Sequence, residues 1–209
     1  MKIEKLVLGP FETNTYLLEK DGEALIIDPA CDSEYIDEFV RDKKIRYILL
    51  THGHFDHIGG LAKLSGLCKC KIVIDKHDSR MLSDAGESRY SDFFSGSPEK
   101  VKADIETEGG CSLPFAGGYI KIMHTPGHTD GSVIYIFEDE KILFSGDTLF
   151  KLGMGRTDLC DGNPADNARI EMESLKKIAK LPGNYKVYPG HGEITTLDYE
   201  RQFNPYMRG

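Results

Sequence analysis

Histidine and aspartate side chains are concentrated in one short run of this 209-residue chain. The run contains His52, His54, Asp56 and His57, and it follows the apolar stretch 47–50 directly. Imidazole nitrogen and carboxylate oxygen are ligands that suit zinc, iron or manganese. No cysteine stands among them, whereas closed structural zinc sites usually contain thiolates. The run therefore indicates an open, catalytic metal site at the end of a strand.

Three further candidate ligands come later in the chain. They are His128, Asp147 and His191, and each adjoins a strand-like run. Glycine stands directly beside them, and glycine allows the tight turns that aim a neighbouring side chain at a shared centre. Seven ligands are more than one tetrahedral metal can use, so their number predicts two metals.

These motifs resemble those of metallo-β-lactamase superfamily hydrolases. The family motif H-x-H-x-D-H is matched by the run 52–57, and the three later motifs occur in the family's order. Within that superfamily the chain is most similar to the small glyoxalase II-like (hydroxyacylglutathione hydrolase-like) proteins. Residues 146–150, residues 153–158 and the ending Asn204-Pro205-Tyr206 carry this closer likeness. The resemblance does not include the C-terminal helical domain that supplies much of the glutathione site in glyoxalase II, which leaves glutathione specificity open.

The resemblance implies an α+β fold, a four-layer αβ/βα sandwich of two mixed sheets flanked by helices, with the metals at one sheet edge. It also implies how the ligands divide. The first metal would take His52, His54 and His128, the second would take Asp56, His57 and His191, and Asp147 would bridge them. The expected cofactors are two divalent ions, with zinc favoured and iron or manganese as alternatives.

Two more residues gain roles from the same resemblance. Asp28 lies where family members place an acid behind the ligands, and such a carboxylate orients a histidine by accepting its other N–H. The alternative for Asp28 is a plain turn residue before proline. Arg156 matches a basic residue directed at the substrate's carboxylate, and its alternative is a surface arginine.

The chemistry implied is attack by a metal-bridging hydroxide on an ester-like carbonyl, with Asp56 and Asp147 as the catalytic carboxylates. A thiol has a pKa near 8.5, so a thiolate departs without a general acid, whereas an amine usually needs a proton. The motifs place no spare acid at the site, because His77 and His124 are interpreted as surface or packing residues. A small-molecule thioester such as an acylglutathione is therefore the favoured substrate.

The main alternative is a mononuclear iron persulfide dioxygenase, which would hold iron on His52, His128 and Asp147 and is similar to this chain around residues 155–158. A true β-lactamase is disfavoured because those enzymes usually place a thiolate at the position of Asp147. Nucleases and non-catalytic binding modules are disfavoured as well.

Composition limits the setting of this activity. The formal net charge of −8, without a basic stripe, argues against a nucleic-acid partner. No apolar run approaches membrane-spanning length and the N-terminus does not resemble a signal peptide, so a cytoplasmic protein without a membrane partner is expected. Five cysteines form an odd set with no disulfide framework, which fits a reducing compartment. We expect one domain, 1–209, and leave the oligomeric state open.

Periodicity predicts the elements that position these residues. Strands are expected at 6–8, 16–18, 24–27, 46–50, 71–74, 118–123, 132–137, 141–145 and 185–188. Helices are expected at 33–42, 59–65, near 76–83 and at 164–180. The first half alternates strand and helix, which predicts a mostly parallel segment. Within residues 76–103, the helix near 76–83 is predicted to be followed by a long loop over the site, a length more typical of functional loops than of idle ones; the alternative is an ordered excursion without contact to substrate.

Overall fold

Two six-stranded sheets face each other in the computed structural model, which describes residues 1–96, 98–160 and 162–208. The first sheet is mixed, because its first three strands are antiparallel and the third to sixth are parallel. The parallel part confirms the prediction made from the strand–helix alternation. The strands lie in chain order: β1 (Lys2–Leu8), β2 (Thr13–Lys20), β3 (Glu23–Ile27), β4 (Ile45–Leu49), β5 (Lys71–Asp75) and β6 (Ile105–Thr107).

The second half of the chain forms a second six-stranded sheet and a separate two-stranded ribbon. Their strands are β7 (Ser112–Phe115), β8 (Gly118–His124), β9 (Val133–Phe137), β10 (Ile142–Gly146), β11 (Leu149–Phe150), β12 (Gly153–Met154), β13 (Lys186–Pro189) and β14 (Thr195–Thr196). The second sheet has the order β14-β13-β10-β9-β8-β7 and is also mixed, since β10 and β13 are parallel and its other neighbouring strands are antiparallel. The ribbon pairs β11 with β12.

Helices cover the outer faces of both sheets. They are α1 (Glu34–Asp42), α2 (Phe55–Ile58), α3 (Leu61–Leu67), α4 (Pro164–Ala179) and α5 (Leu197–Phe203). One apolar core lies between the sheets, where Tyr16 packs edge-on against Phe144 and Tyr188. A second core joins the first sheet to α1 and α3, and a third joins the second sheet to α4 and α5. Three cores between four layers confirm the predicted αβ/βα sandwich.

Local differences from the sequence predictions have identifiable causes. The helix expected near 76–83 is a short 3-10 helix, Ser79–Leu82, because the chain must bend to bring Asp78 beneath the histidine run. Cys68 and Cys70 form a disulfide, so the expectation that the five cysteines form no disulfide is wrong. No helix in the described ranges is long and apolar enough to cross a membrane.

Candidate metal centre

The seven predicted ligands lie at one edge of the sandwich, each just beyond the C-terminal end of a strand. His52 and His54 occupy the loop after β4, and Asp56 and His57 lie within the short helix α2. The loop after β8 supplies His128, the turn after β10 supplies Asp147, and the turn after β13 supplies His191. Ligands are expected at this edge in open α/β sheets, since loops at the carboxyl ends of strands converge there.

The ligand atoms divide into two groups, which are joined by a third group of His52, His57 and Asp147. His52, His54 and His128 form one group, and Asp56, His57 and His191 form another, with ligand atoms within 4.8 Å of one another in each group. In the first group His54 Nδ1 lies 2.9 Å from His128 Nε2. The structure therefore brings together the two sets that the resemblance implied.

Asp147 lies between these two groups. Its Oδ2 is 3.6 Å from His128 Nε2 and 3.4 Å from His191 Nε2. Its Oδ1 is 3.4 Å from His57 Nε2. One carboxylate thus faces histidines of both groups, as a bridging ligand requires.

The other ring nitrogen of most of these histidines has a partner that fixes the ring. His128 Nδ1 donates to the Arg156 carbonyl at 2.7 Å, and His191 Nδ1 donates to the Phe11 carbonyl at 3.0 Å. Fixing the outer nitrogen sets the tautomer and leaves the inner nitrogen with a lone pair for a metal.

Asp28 lies behind the centre and connects two of the ligands. Its Oδ2 accepts from His57 Nδ1 at 3.0 Å and from the Thr51 hydroxyl at 2.6 Å, and that hydroxyl is 3.1 Å from His52 Nδ1. Asp28 is buried and has a left-handed backbone, φ 49°. The contact matches the orienting role that the resemblance implied, rather than a plain turn residue.

Several buried atoms of the centre have no hydrogen-bond partner within the described part of the chain. They include Nε2 of His52 and His57 and Oδ1 of Asp147. Unpartnered buried polar atoms are costly, and native proteins satisfy nearly all of them. Imidazole nitrogens and a carboxylate oxygen turned toward one another are what divalent cations bind, so the donor set fits two such ions.

Burial and neighbouring charges set the pKa values of the ligand side chains. Burial and mutual repulsion hold the pKa of His52 and His54 well below the usual histidine value. Burial alone would raise the pKa of Asp56, but His57 and a hydrogen bond from His191 hold it at about 2. Asp147 likewise keeps a pKa well below its usual range, against the effect of burial, because His57 and His191 face it. Both carboxylates are therefore charged at neutral pH.

Close backbone approach explains two of the neighbouring glycines. A Cβ on Gly190 would lie 2.1 Å from Asp147 Oδ1, so no larger residue fits before His191. Gly146 has φ 49°, and a Cβ there would meet the Thr51 hydroxyl at 2.4 Å. Both glycines let a ligand-bearing turn press against the centre.

Three supporting residues were not found by sequence reasoning. Thr13 Oγ1 donates to Asp56 Oδ2 at 2.8 Å. Asp78 accepts from the Gly53 amide and the Thr129 hydroxyl and so links the loops of His52 and His128. Glu171, on α4, accepts from the His128 amide at 3.0 Å. Each of the three contacts residues that are far away in the sequence, so no local pattern reveals it.

Arg156 lies at the rim of the centre. Its backbone carbonyl accepts the hydrogen bond from His128 Nδ1. Its exposed guanidinium makes two hydrogen bonds to Asp158, at 3.0 and 2.7 Å. A substrate carboxylate would have to replace Asp158 on that fork.

The predicted covering loop does reach the centre. The Phe55 amide donates to the Ser88 carbonyl at 2.9 Å, and the rings of Phe93 and Phe94 pack on Phe55. The segment thus lies against the residue between His54 and Asp56. Ser97, within the predicted loop, lies outside the described residues.

A second, smaller cluster joins the two remaining histidines. Asp75, His77 and His124 place ligand atoms within 4.8 Å of one another. His77 Nδ1 lies 2.6 Å from Asp75 Oδ1, and the rings of His77 and His124 stack at 5.4 Å. The two rings pack on each other at the surface, as the packing interpretation predicted.

Comparison with known proteins identifies the fold family. The sequence profile of the metallo-β-lactamase superfamily matches residues 8–191. This chain belongs to that superfamily. The superfamily resemblance drawn from the four motifs is thereby confirmed.

Similar proteins of the superfamily include two with different named activities and one named with its metals. The crystal structure of the BLEG-1 B3 metallo-β-lactamase has a TM-score of 0.90 and 33% identity, covering 100% of both chains. The protein TTHA1623 in a di-iron-bound form has a TM-score of 0.82 and 30% identity, covering 97% of this chain and 99% of its own. Hydroxyacylglutathione hydrolase GloC of Haemophilus influenzae is 30% identical over 99% of this chain and 98% of its own. Together with the ligand cluster, membership supports a metal-dependent hydrolase.

Proposed function

We propose that this chain is a binuclear metal-dependent hydrolase that cleaves thioesters. The observation that carries the proposal is the position of Asp147, whose two oxygens face histidines of both ligand groups. A carboxylate between two dications offsets their repulsion and sets their separation. The 30% identity with a hydroxyacylglutathione hydrolase supports a thioester over other esters.

Each residue of the centre has a defined part in this reaction. Two dications held by the histidines and Asp147 would polarise a substrate carbonyl and lower the pKa of a water toward neutrality. Asp56, held by the Thr13 hydroxyl, presents a charged oxygen that can orient the attacking water. Asp28 and Thr51 keep the rings of His57 and His52 in place behind it.

A thioester is favoured because the two described carboxyl groups with a raised pKa, those of Asp78 and Glu171, are buried and accept hydrogen bonds from backbone amides of the ligand loops. Burial raises the pKa of Asp78 to about 6 and that of Glu171 to about 9. Among the described residues, these two are the carboxyl groups whose pKa is raised. Both side chains are buried behind the ligand loops. A thiolate leaves without such an acid, whereas an amine or alkoxide usually requires one.

Metal content and turnover test the proposal together. Protein purified anaerobically without an affinity tag should contain close to two ions of zinc, iron or manganese per chain by elemental mass spectrometry. The same sample should hydrolyse thioesters in preference to matched oxygen esters. A fully loaded sample that cleaves neither would contradict the proposal.

Two other activities have specific support. His52 shares one ligand group with His128 and another with Asp147, and Asp147 Oδ2 lies 3.6 Å from His128 Nε2, which supports the persulfide dioxygenase alternative. The high structural similarity to BLEG-1 supports β-lactam cleavage. Oxygen consumption with glutathione persulfide by a one-iron sample would favour the dioxygenase over the hydrolase. Faster cleavage of a β-lactam than of any thioester would favour the lactamase.

A further inference from the structure

A cavity of about 590 Å³ adjoins the metal centre on the side of Asp56. Thr13 and Asp56 belong to its wall, and these two side chains are hydrogen-bonded to each other at 2.8 Å. Small-molecule sites in proteins commonly enclose about 300–1,000 Å³. The cavity therefore has the size of a ligand site and shares its border with the candidate catalytic carboxylate.

The wall of this cavity is mainly apolar. Leu8 and Phe11 line one part of it, Phe55 and Ile58 belong to α2, and Phe94 comes from the covering segment. Phe11 packs edge-on against Phe55 at 5.0 Å, and Phe94 does so at 5.7 Å. Phe11 and Phe94 are 36% and 42% exposed. Large apolar side chains left partly exposed around a concavity mark a surface that binds apolar groups.

The charges around the cavity do not suit a glutathione moiety. Lys63 is the one cationic side chain in the described part of its wall, and Lys63 Nζ pairs with Asp37 Oδ2 at 2.7 Å. Asp32 and Glu99 add negative charge. Glutathione carries carboxylates, which an apolar cavity with an acidic rim would leave unpaired and desolvated at a large cost. An uncharged chain is the occupant that this wall accommodates.

We infer that the cavity binds the apolar acyl chain of the thioester substrate, with the thioester carbonyl beside Asp56. This inference rests on the proposed thioesterase function and names its substrate class: acyl thioesters with extended aliphatic chains rather than short hydroxyacyl groups. The thiol half of the substrate then lies outside the cavity.

A chain-length series tests the assignment. Acetyl, butyryl, hexanoyl and octanoyl thioesters of one common thiol are compared by kcat/KM on the metal-loaded enzyme. Each buried methylene should raise kcat/KM by about fourfold until the cavity is filled. A second series with one acyl group on different apolar thiols should show no comparable rise. A rise in the thiol series instead of the acyl series would overturn the assignment.

Two substitutions on α3 separate the cavity from general effects. Ala62 lines the cavity and is half-buried, so Ala62→Phe should fill part of it. Ser65 lies on the same helix, is exposed and is not part of the wall, so Ser65→Phe is the matched control. We expect Ala62→Phe to lower the ratio of octanoyl to acetyl kcat/KM at least tenfold, with kcat/KM for the acetyl thioester unchanged. Ser65→Phe should leave both unchanged, and equal profiles for the two variants would overturn the assignment.

Binding without turnover distinguishes this inference from the proposed function. Octanol binding, measured by calorimetry at several temperatures, should show a negative heat-capacity change in the wild type and weaken in Ala62→Phe. Hydrolysis of thioesters with a flat acyl profile and no octanol binding would overturn the cavity assignment alone. Octanol binding without hydrolysis of any thioester would instead overturn the proposed function, and with it the acyl substrate.

Discussion

The metal centre and the Asp75–His77–His124 cluster are built from the same side-chain types but differ in how their rings are arranged. His52, His54 and His128 have ring planes at 81–89° to one another, so their in-plane lone pairs approach a point from different directions. His77 and His124 are stacked with only 16° between their planes. Parallel rings direct their lone pairs side by side instead of toward one ion.

Burial separates the two clusters further. The side chain of His57 is fully buried and its outer nitrogen is held by Asp28, whereas the side chain of His77 is 45% exposed. In the smaller cluster the Asp75 oxygen is already used by a hydrogen bond from His77. Proximity of ligand types alone therefore does not make a metal centre, which also needs convergent lone pairs and supports behind the ligands.

The largest expected effect tests the bridging position. Asp147→Asn keeps the size of the side chain but removes the charge between the two groups. We expect the metal content to fall from close to two ions per chain to one or fewer. The thioesterase kcat/KM should fall on the order of a thousandfold, since metal ions supply several kcal/mol of transition-state stabilisation.

Asp75→Asn is the matched control for that substitution, because Asp75 is also buried and also contacts a histidine. It should leave metal content and kcat/KM unchanged. Retention of two ions and of activity by Asp147→Asn would show that Asp147 does not bridge.

A smaller effect is expected behind the centre. Asp28→Asn tolerates the left-handed backbone but loses the charged acceptor for His57 and Thr51. Metal affinity, measured by competition with a chelator, should fall about 10–100-fold. Asp37→Asn removes a buried carboxylate paired with Lys63, away from the histidines, and should not change the affinity. Equal losses of metal affinity in both variants would mean that Asp28 contributes only to the stability of the fold.

The pH dependence of the free energy of unfolding tests Asp78, which lies beneath the histidine run. Burial raises the pKa of Asp78 from 3.8 to about 6, although hydrogen bonds from Thr129, Gly131 and Gly53 oppose the shift. Between these values the folded chain keeps a proton that the unfolded chain has released, so the free energy of unfolding falls as pH rises through that window. The loss should be about 2 kcal/mol between roughly pH 4 and pH 6.

Urea denaturation of chelator-treated protein measures this loss, with Asp78→Asn as the reference. The free energy of unfolding is plotted against pH for both proteins. The difference between the two slopes gives the contribution of Asp78, because the other groups titrate in both proteins. Identical pH profiles would mean that Asp78 keeps an ordinary pKa.

The smallest effect is expected in the stacked cluster. His77→Ala removes a partly exposed ring and should change the free energy of unfolding by no more than about 0.5 kcal/mol. Its metal content should equal that of the wild type, whereas His54→Ala should lose the first ion. A metal lost specifically on His77→Ala would show that stacked rings can bind after all.

The ligands were predictable from sequence because each one lies at the end of an apolar strand beside a turn residue. His52 and Asp147 carry their signal within a few positions, so the edge of the sandwich could be inferred together with its metals. The alternation of strands and helices likewise predicted the parallel half of the first sheet.

The supports were not predictable, since they act across the fold. Glu171 is an ordinary helix residue in the sequence, and only the docking of α4 places its carboxyl on the His128 amide. Thr13 meets Asp56 because β2 passes beneath α2, which no local pattern states. The Cys68–Cys70 disulfide was missed because composition alone suggested reduced thiols.

The contact between His191 and the Phe11 carbonyl joins positions 180 residues apart, and the Asn14 amide donates to the Gly190 carbonyl beside it at 2.7 Å. Contacts of such long sequence separation form late, because a large loop must close first. During synthesis, His52, His54 and His128 have already emerged from the ribosome when His191 is still to be made. The first ligand group can therefore come together before the last turn brings His191 back onto the first hairpin, where it joins Asp56 and His57 and completes the second group.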